Sequence, residues 1–186
     1  MNKKTLNLEN RLLYLSALTL SRIEFWLTYR GIKLASTTPL RNKFTTKNAA
    51  TKRIVKWLED ADLYYVIDKK HKDMIHISKD KALAEKMAKI QWSEDPKDII
   101  FRGNKYGFPI NAVKAFAKDL ISMGDYWEIR ERIMKYPYWH YARYRVRSGH
   151  EFEDLQVAKK WATIIRKEVP KLAKWFEKDM EGAKSK

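Results

Sequence analysis

The sequence predicts a mainly α protein that carries one small β-hairpin and divides into two domains. Three observations point there. Apolar residues recur at helical spacing along most of the 186-residue chain. YYVIDKKHKDMIHIS, residues 64–78, alternates with period two around a lysine-rich turn. Within WSEDPKDIIFRGNKYGFP, residues 92–109, Pro96, Gly103, Gly107 and Pro109 interrupt helical periodicity. The expected division is an N-terminal domain over 1–92, a linker over 93–109 and a helical domain over 110–186.

The elements follow in order. LNLENRLLYLSALTLSRIEFWLTYRG gives one or two amphipathic helices that stop near Gly31. TTPLRNKF places Thr38 before Pro39, a cap residue ahead of a proline at the first helical position, so a short helix ending at Phe44 is expected. Thr46 then caps a helix from Lys47 to Ala61. The hairpin comes next, followed by a helix over DKALAEKMAKIQW capped by Asp80 or Ser78.

Charge sets the first bound on function. The chain holds 39 basic and 23 acidic residues for a net +16. Residues 1–92 carry +10 of this and the remainder +6. Such an excess repels itself and is relieved by a polyanion, which points to nucleic acid. There is no cysteine, which excludes disulfides, thiolate metal sites and a thiol nucleophile. No run reaches 18 apolar residues and the start lacks a secretory pattern, so a cytoplasmic protein that does not span a membrane is expected. Lys and Glu abundance without Cys also fits a thermophile.

On a helical wheel over 47–61, Ala50, Ile54, Trp57, Leu58 and Ala61 share one face, with Val55 at its edge. Asn48, Ala49, Lys52, Arg53 and Lys56 share the other. From Lys33 to Leu58 there are seven basic residues and no acidic one, so this face is expected to leave its charges unpaired. A solvated helix face ordinarily mixes charge signs. A cationic face at a helix start suits docking in a DNA major groove.

The stretch from LTLSRIEFWL through STTPLRNKFTTKNAATKRIVKWLEDADLYYVIDKKHKDMIHISKDKALAEKMAK resembles a winged helix-turn-helix of the MarR type, over about residues 15–90. WLEDADLYYVI is similar to the Leu-Glu-x-x-x-Leu step at the end of the family's recognition helix, with Asp62 where the family usually has Gly. Gly takes positive φ more cheaply than Asp, so the departure bears on that turn. The resemblance implies that Lys47, Asn48, Ala49, Lys52, Arg53 and Lys56 face DNA. It implies that Lys69, Lys70, His71 and Lys72 form the wing tip on the backbone or minor groove. Thr45 and Thr46 would donate to a phosphate at the helix N-terminus. Double-stranded DNA is then the expected partner, and transcriptional regulation the expected role. A second reading of the same domain is a winged helix used for protein contact.

In the second half, PINAVKAFAKDLISMG is expected to bury Ile110, Val113, Phe116, Ala117, Leu120 and Ile121. DYWEIRERIMK is a short amphipathic helix ended by Tyr136 and Pro137. EFEDLQVAKKWATIIRKEV is expected to bury Phe152, Leu155, Ala158, Ala162 and Ile165, and KLAKWFEKDM to bury Leu172, Trp175 and Phe176. This helical domain is expected to dimerise or to hold a partner.

Between these helices, YPYWHYARYRVRSGHEFED interleaves Tyr136, Tyr138, Trp139, Tyr141 and Tyr144 with Arg143, Arg145 and Arg147. Two readings stand. The aromatics are core and the arginines reach to solvent, which is favoured. Alternatively Tyr138, Trp139, Tyr141, Arg143, Arg145 and Arg147 form a second surface for single-stranded nucleic acid, as in a replication or maintenance protein.

Catalytic readings find little. HYAR fits the His-x-x-Arg of tyrosine recombinases, but the last tyrosine, Tyr144, follows it directly instead of lying later in the chain. His140 and His150 with Glu151, Glu153 and Asp154 would give a metal-dependent nuclease, though a solvated acidic helix start explains them better. Phosphate-loop, dinucleotide and nucleophile-elbow motifs are missing. The expectation is a non-enzyme without cofactor or metal.

Overall fold

The computed structural model describes residues 3–15, 17–40, 49–118 and 123–182. The protein is mostly helical with one small antiparallel sheet, and it divides into two compact units, Met1–Gln91 and Trp92–Lys186.

Unit 1 runs α1 (Lys3–Leu13), α2 (Thr19–Tyr29), β1 (Ala35–Pro39), α3 (Ala49–Asp60), β2 (Tyr64–Ile67), β3 (Met74–Ser78) and α4 (Lys81–Ile90). The sheet order is β1-β3-β2, with Ala35 opposite Ser78, Pro39 opposite Met74, and Tyr64 opposite Ser78 across the other edge. The hairpin is therefore present, and β1 joins it as a third strand. This corrects the expected helix start at Thr38 and Pro39. Both residues lie in β1, where an edge strand tolerates the missing proline N–H. The rest of that expected helix, up to Phe44, lies outside the described residues.

The core of unit 1 gathers Leu8, Leu12, Phe25, Trp26, Ile54, Trp57, Leu58, Ile75, Ile77 and Met87, all buried. Trp57 ties two helices together. Its indole Nε1 donates to the Leu8 carbonyl at 2.9 Å, and its ring stacks 5.9 Å from Phe25. Several polar groups that enter this core are hydrogen-bonded to one another. Thr28 donates to the Glu24 carbonyl at 2.9 Å and meets Ser36 at 2.8 Å, while Thr38 donates to Ser21 at 3.0 Å. Lys33 donates to both Glu24 carboxylate oxygens, at 2.9 and 2.7 Å, with both side chains nearly inaccessible.

α3 ends in a tight turn. Asp62 N–H donates to the Glu59 carbonyl at 3.0 Å, and Leu63 N–H to the Leu58 carbonyl at 2.9 Å. That paired pattern requires a left-handed residue, and Asp62 has φ of 56°. The same pattern closes α2, where Gly31 fills the position with φ of 68°. Left-handed backbone costs an ordinary L-residue roughly 1–2 kcal/mol and Asp somewhat less. Asp62→Gly is thus expected to hold or raise stability, and Asp62→Val to lower it by about 1–2 kcal/mol. Urea unfolding measures both, and equal midpoints for Val and Asp would contradict the account.

Unit 2 comprises α5 (Pro96–Lys105), α6 (Ile110–Ala117), α7 (Met123–Ile133), a 3₁₀ turn over Trp139–Tyr141, α8 (Glu151–Glu168) and α9 (Pro170–Gly182). The stretch 93–109, expected as a linker, instead holds α5. Asp95 accepts from Lys97 N–H at 2.8 Å and Pro96 occupies the first turn, so these residues start a helix. Gly103 permits α6 to approach, since a Cβ there would lie 2.5 Å from both methyl groups of Val113.

Leu155, Ala158, Trp161, Ala162 and Ile165 of α8 are buried with Leu172, Ala173 and Phe176 of α9. Four residues expected in the core are exposed instead: Ile110 at 39%, Phe116 at 40%, Phe152 at 66% and Trp175 at 40%. Helical period identifies a face, but the width covered is set by neighbours, and these four lie outside it. Leu120 and Ile121 lie outside the described residues.

Candidate nucleic-acid interface

α3 has the orientation its apolar period predicts. Ile54, Trp57, Leu58 and the following Ala61 are buried, and Ala50 and Val55 are half-buried. Ala49, Lys52, Arg53 and Lys56 are exposed. Four predicted residues at the helix start, Thr45, Thr46, Lys47 and Asn48, lie outside the described residues. Of the three cations, Lys52 and Arg53 have no carboxylate partner among the described residues. Lys56 does, which qualifies the expected unpaired face. Its Nζ donates to Asp60 Oδ1 at 2.6 Å, one turn on, and Arg11 of α1 donates to Asp60 Oδ2 at 2.5 Å. The Lys56 and Arg11 bonds hold the Asp60 carboxyl below its ordinary range. Two cations share one carboxylate there, so the local charge stays positive.

The hairpin turn is built by Asp68. Its Oδ1 accepts from the backbone N–H groups of Lys70 at 2.8 Å and His71 at 2.7 Å, closing an Asx-type turn. Asp68 N–H donates to the Met74 carbonyl, and Met74 N–H to the His71 carbonyl. Lys69, Lys70 and Lys72 are exposed on the turn, with His71 half-buried between them. Beneath, the second Asp68 oxygen lies 3.2 Å from His76 Nε2, and His76 Nδ1 is 2.8 Å from the Thr37 hydroxyl of β1. Burial lowers the His76 pKa, and the Asp68 carboxylate opposes that shift. A neutral ring donates from Nε2 to Asp68 and accepts at Nδ1 from Thr37. Sequence reasoning named the turn lysines but missed Asp68 and His76, which hold the turn in shape. The signal was present in Asp68 itself, two residues before the amide that it captures.

The aromatic and arginine segment of unit 2 is mostly core. Tyr138, Trp139 and Tyr141 are buried, and the Tyr141 ring lies edge-on to Phe176 at 5.2 Å. The Tyr141 hydroxyl donates to Glu177 at 3.0 Å, and burial raises its pKa. These three rings offer no open face for a base. Arg147 binds Asp154 and Glu153 through its guanidinium, and its backbone N–H also donates to Asp154 at 2.9 Å. Arg143 is exposed and Arg145 half-buried. Of the histidines and carboxylates weighed as a metal site, His150 Nδ1 lies 3.3 Å from Glu153 Oε2, and the carboxylates are engaged by arginines. His140 is buried, 4.4 Å from the Trp139 ring, whereas Glu151 binds Arg132 at 2.8 Å and Asp154 binds Arg147. Among the described residues no group of three or more His, Asp or Glu side chains is arranged to hold a metal ion.

Compared with protein-family models, with curated proteins and with solved structures, the chain matches none. No described helix is long and apolar enough to cross a membrane.

Proposed function

We propose that unit 1 is a winged helix domain that binds double-stranded DNA, with α3 as recognition helix and the β2–β3 turn as wing. One observation carries the reading. The exposed face of α3 presents Lys52, Arg53 and Lys56, while the hairpin that follows it presents Lys69, Lys70 and Lys72. The order α2, β1, α3, β2, β3 and the sheet order β1-β3-β2 support it, because a wing needs a third strand to anchor the hairpin. So does the net charge of +16. Exposed Ala49 leaves room for the helix start to approach a base edge.

Transcriptional regulation is the role this domain suits best, with unit 2 dimerising or holding a partner. A dimer would place two half-sites about one helical turn apart. The contact-only and nuclease readings leave the cationic face of α3 without a purpose.

Lys52→Ala combined with Arg53→Ala tests the assignment. Both side chains are exposed, so the fold should survive. Each lost contact is worth about 1–3 kcal/mol, so duplex affinity should fall at least about tenfold. Wild-type affinity in this variant, with unchanged circular dichroism, would remove α3 from the interface.

A further inference from the structure

The positive charge of the second half is concentrated in one place. Residues 93–186 carry a net +6, and from Lys159 to Lys178 seven basic and two acidic residues supply +5 of it. Lys159, Lys160 and Lys167 of α8 and Lys171, Lys174 and Lys178 of α9 are exposed. None of these six ammonium groups has a carboxylate partner among the described residues. The two acids of the stretch do not cancel them. Glu168 is half-buried, and Glu177 accepts from Arg166 Nε at 2.8 Å and from the Tyr141 hydroxyl at 3.0 Å.

Helical period sets the α9 lysines in a row. Lys171, Lys174 and Lys178 recur at i, i+3 and i+7, so they share one face and span about 10 Å of axis at roughly 1.5 Å per residue. Along one flank runs a groove of about 460 Å³, lined by Arg166, Pro170, Ala173, Lys174, Glu177 and Lys178. Arg166 and Glu177 neutralise each other there, which leaves Lys174 and Lys178 as surplus charge. On the other flank Trp175 is 40% exposed, with Asp179 one turn beyond it. Leu172, Ala173 and Phe176, the apolar face of α9, are buried within unit 2, so that face cannot lie in a lipid surface.

We propose that α9, with the end of α8, binds single-stranded nucleic acid, its lysines on the phosphates and Trp175 on an unstacked base. A cationic row that tracks a backbone, beside a ring on which any base can stack, suits a strand without sequence preference. A duplex would meet the lysines but leave Trp175 idle, because its bases already stack on one another. This surface is separate from the segment around Tyr138, Trp139 and Tyr141, whose rings are core. It depends on unit 2 and stands or falls independently of duplex binding by α3.

Fluorescence anisotropy of the full chain with a short labelled oligothymidylate tests this across a salt series. Lys171→Ala, Lys174→Ala and Lys178→Ala together should lower the slope of log K against log salt by about 2, at roughly 0.7 per single-strand phosphate contact. All three side chains are exposed, so the circular dichroism should not change. Trp175→Ala should weaken binding at least about fivefold with the slope unchanged, and Trp175→Phe should retain most of the affinity because a ring remains. Inorganic polyphosphate, which has no base, should respond to the lysine variant and not to Trp175→Ala. The proposal is overturned if the triple variant keeps the wild-type slope, or if Trp175→Ala binds oligothymidylate as tightly as the unaltered protein. Equal losses for polyphosphate and oligothymidylate in Trp175→Ala would overturn it as well, since the ring would then only support the lysines. Duplex binding of the Lys52→Ala, Arg53→Ala variant is a separate readout, so failure of one assignment is distinguishable from failure of the other.

Discussion

Trp57→Ala is expected to cost unit 1 about 3–5 kcal/mol, a large share of a small domain's stability. Trp57 is fully buried on the inner face of α3, packed against Phe25 and Tyr29. Its removal opens a cavity among residues from α1, α2 and α3. It also removes the indole donor that reaches the Leu8 carbonyl at 2.9 Å and ties α3 to α1. Trp57→Phe separates the two effects, because it retains most of the apolar volume and loses only the donor. That variant should cost about 0.5–1.5 kcal/mol, the net worth of one hydrogen bond, because the Leu8 carbonyl keeps its place in the α1 helical ladder. Denaturant unfolding monitored by circular dichroism measures both. A loss of only a few tenths in Trp57→Ala would mean that α3 turns its other face inward, and the proposed DNA face would be lost with it. Leu58, also fully buried, gives an independent check, with Leu58→Ala expected to cost about 2–5 kcal/mol.

The second large effect lies at the Glu24–Lys33 pair. Lys33 is 2% exposed and its ammonium binds both Glu24 oxygens. Removing one partner leaves the other charged in a dry site, and breaking a buried pair costs about 3–5 kcal/mol. Lys33→Met should show that loss. Lys33→Met combined with Glu24→Leu should recover most of it, since two apolar side chains of similar volume restore packing without a buried charge. If the double variant is no better than the single one, the pair supports the fold through geometry and not through charge balance.

These effects rest on features the sequence displays unequally. The inner and outer faces of α3 were legible because Ile54, Trp57, Leu58 and Ala61 repeat with helical period. The turn at Asp62 was not legible in the same way, because Asp takes positive φ less cheaply than Gly and its presence left the tightness of the turn open. Nor was strand β1 legible. Thr38 and Pro39 satisfy the rule for a helix start, and only pairing with β3, from Ala35 to Ser78 and from Pro39 to Met74, decides otherwise. That pairing spans tens of residues and leaves no local trace. The breakers around α5 were misread for a related reason. Pro96 starts that helix and Gly107, with φ of 71°, ends it, while Gly103 serves close packing against Val113. Each residue type was read as interruption where its job is to bound or pack a helix.

The salt dependence of duplex binding tests the central claim most directly. Lys52, Arg53, Lys56, Lys69, Lys70 and Lys72 are all exposed on α3 and the β2–β3 turn. If about six cations neutralise phosphates, log K should fall with log salt at a slope near −5, at roughly 0.9 per contact. Removing the three turn lysines should lower that slope by about 2–3 and weaken all sequences alike. Changing Asn48 should shift preference among sites with the slope nearly unchanged, because a neutral amide releases no counterion. The account predicts the steep slope and its dependence on those lysines. A flat salt dependence in the unaltered protein would contradict it.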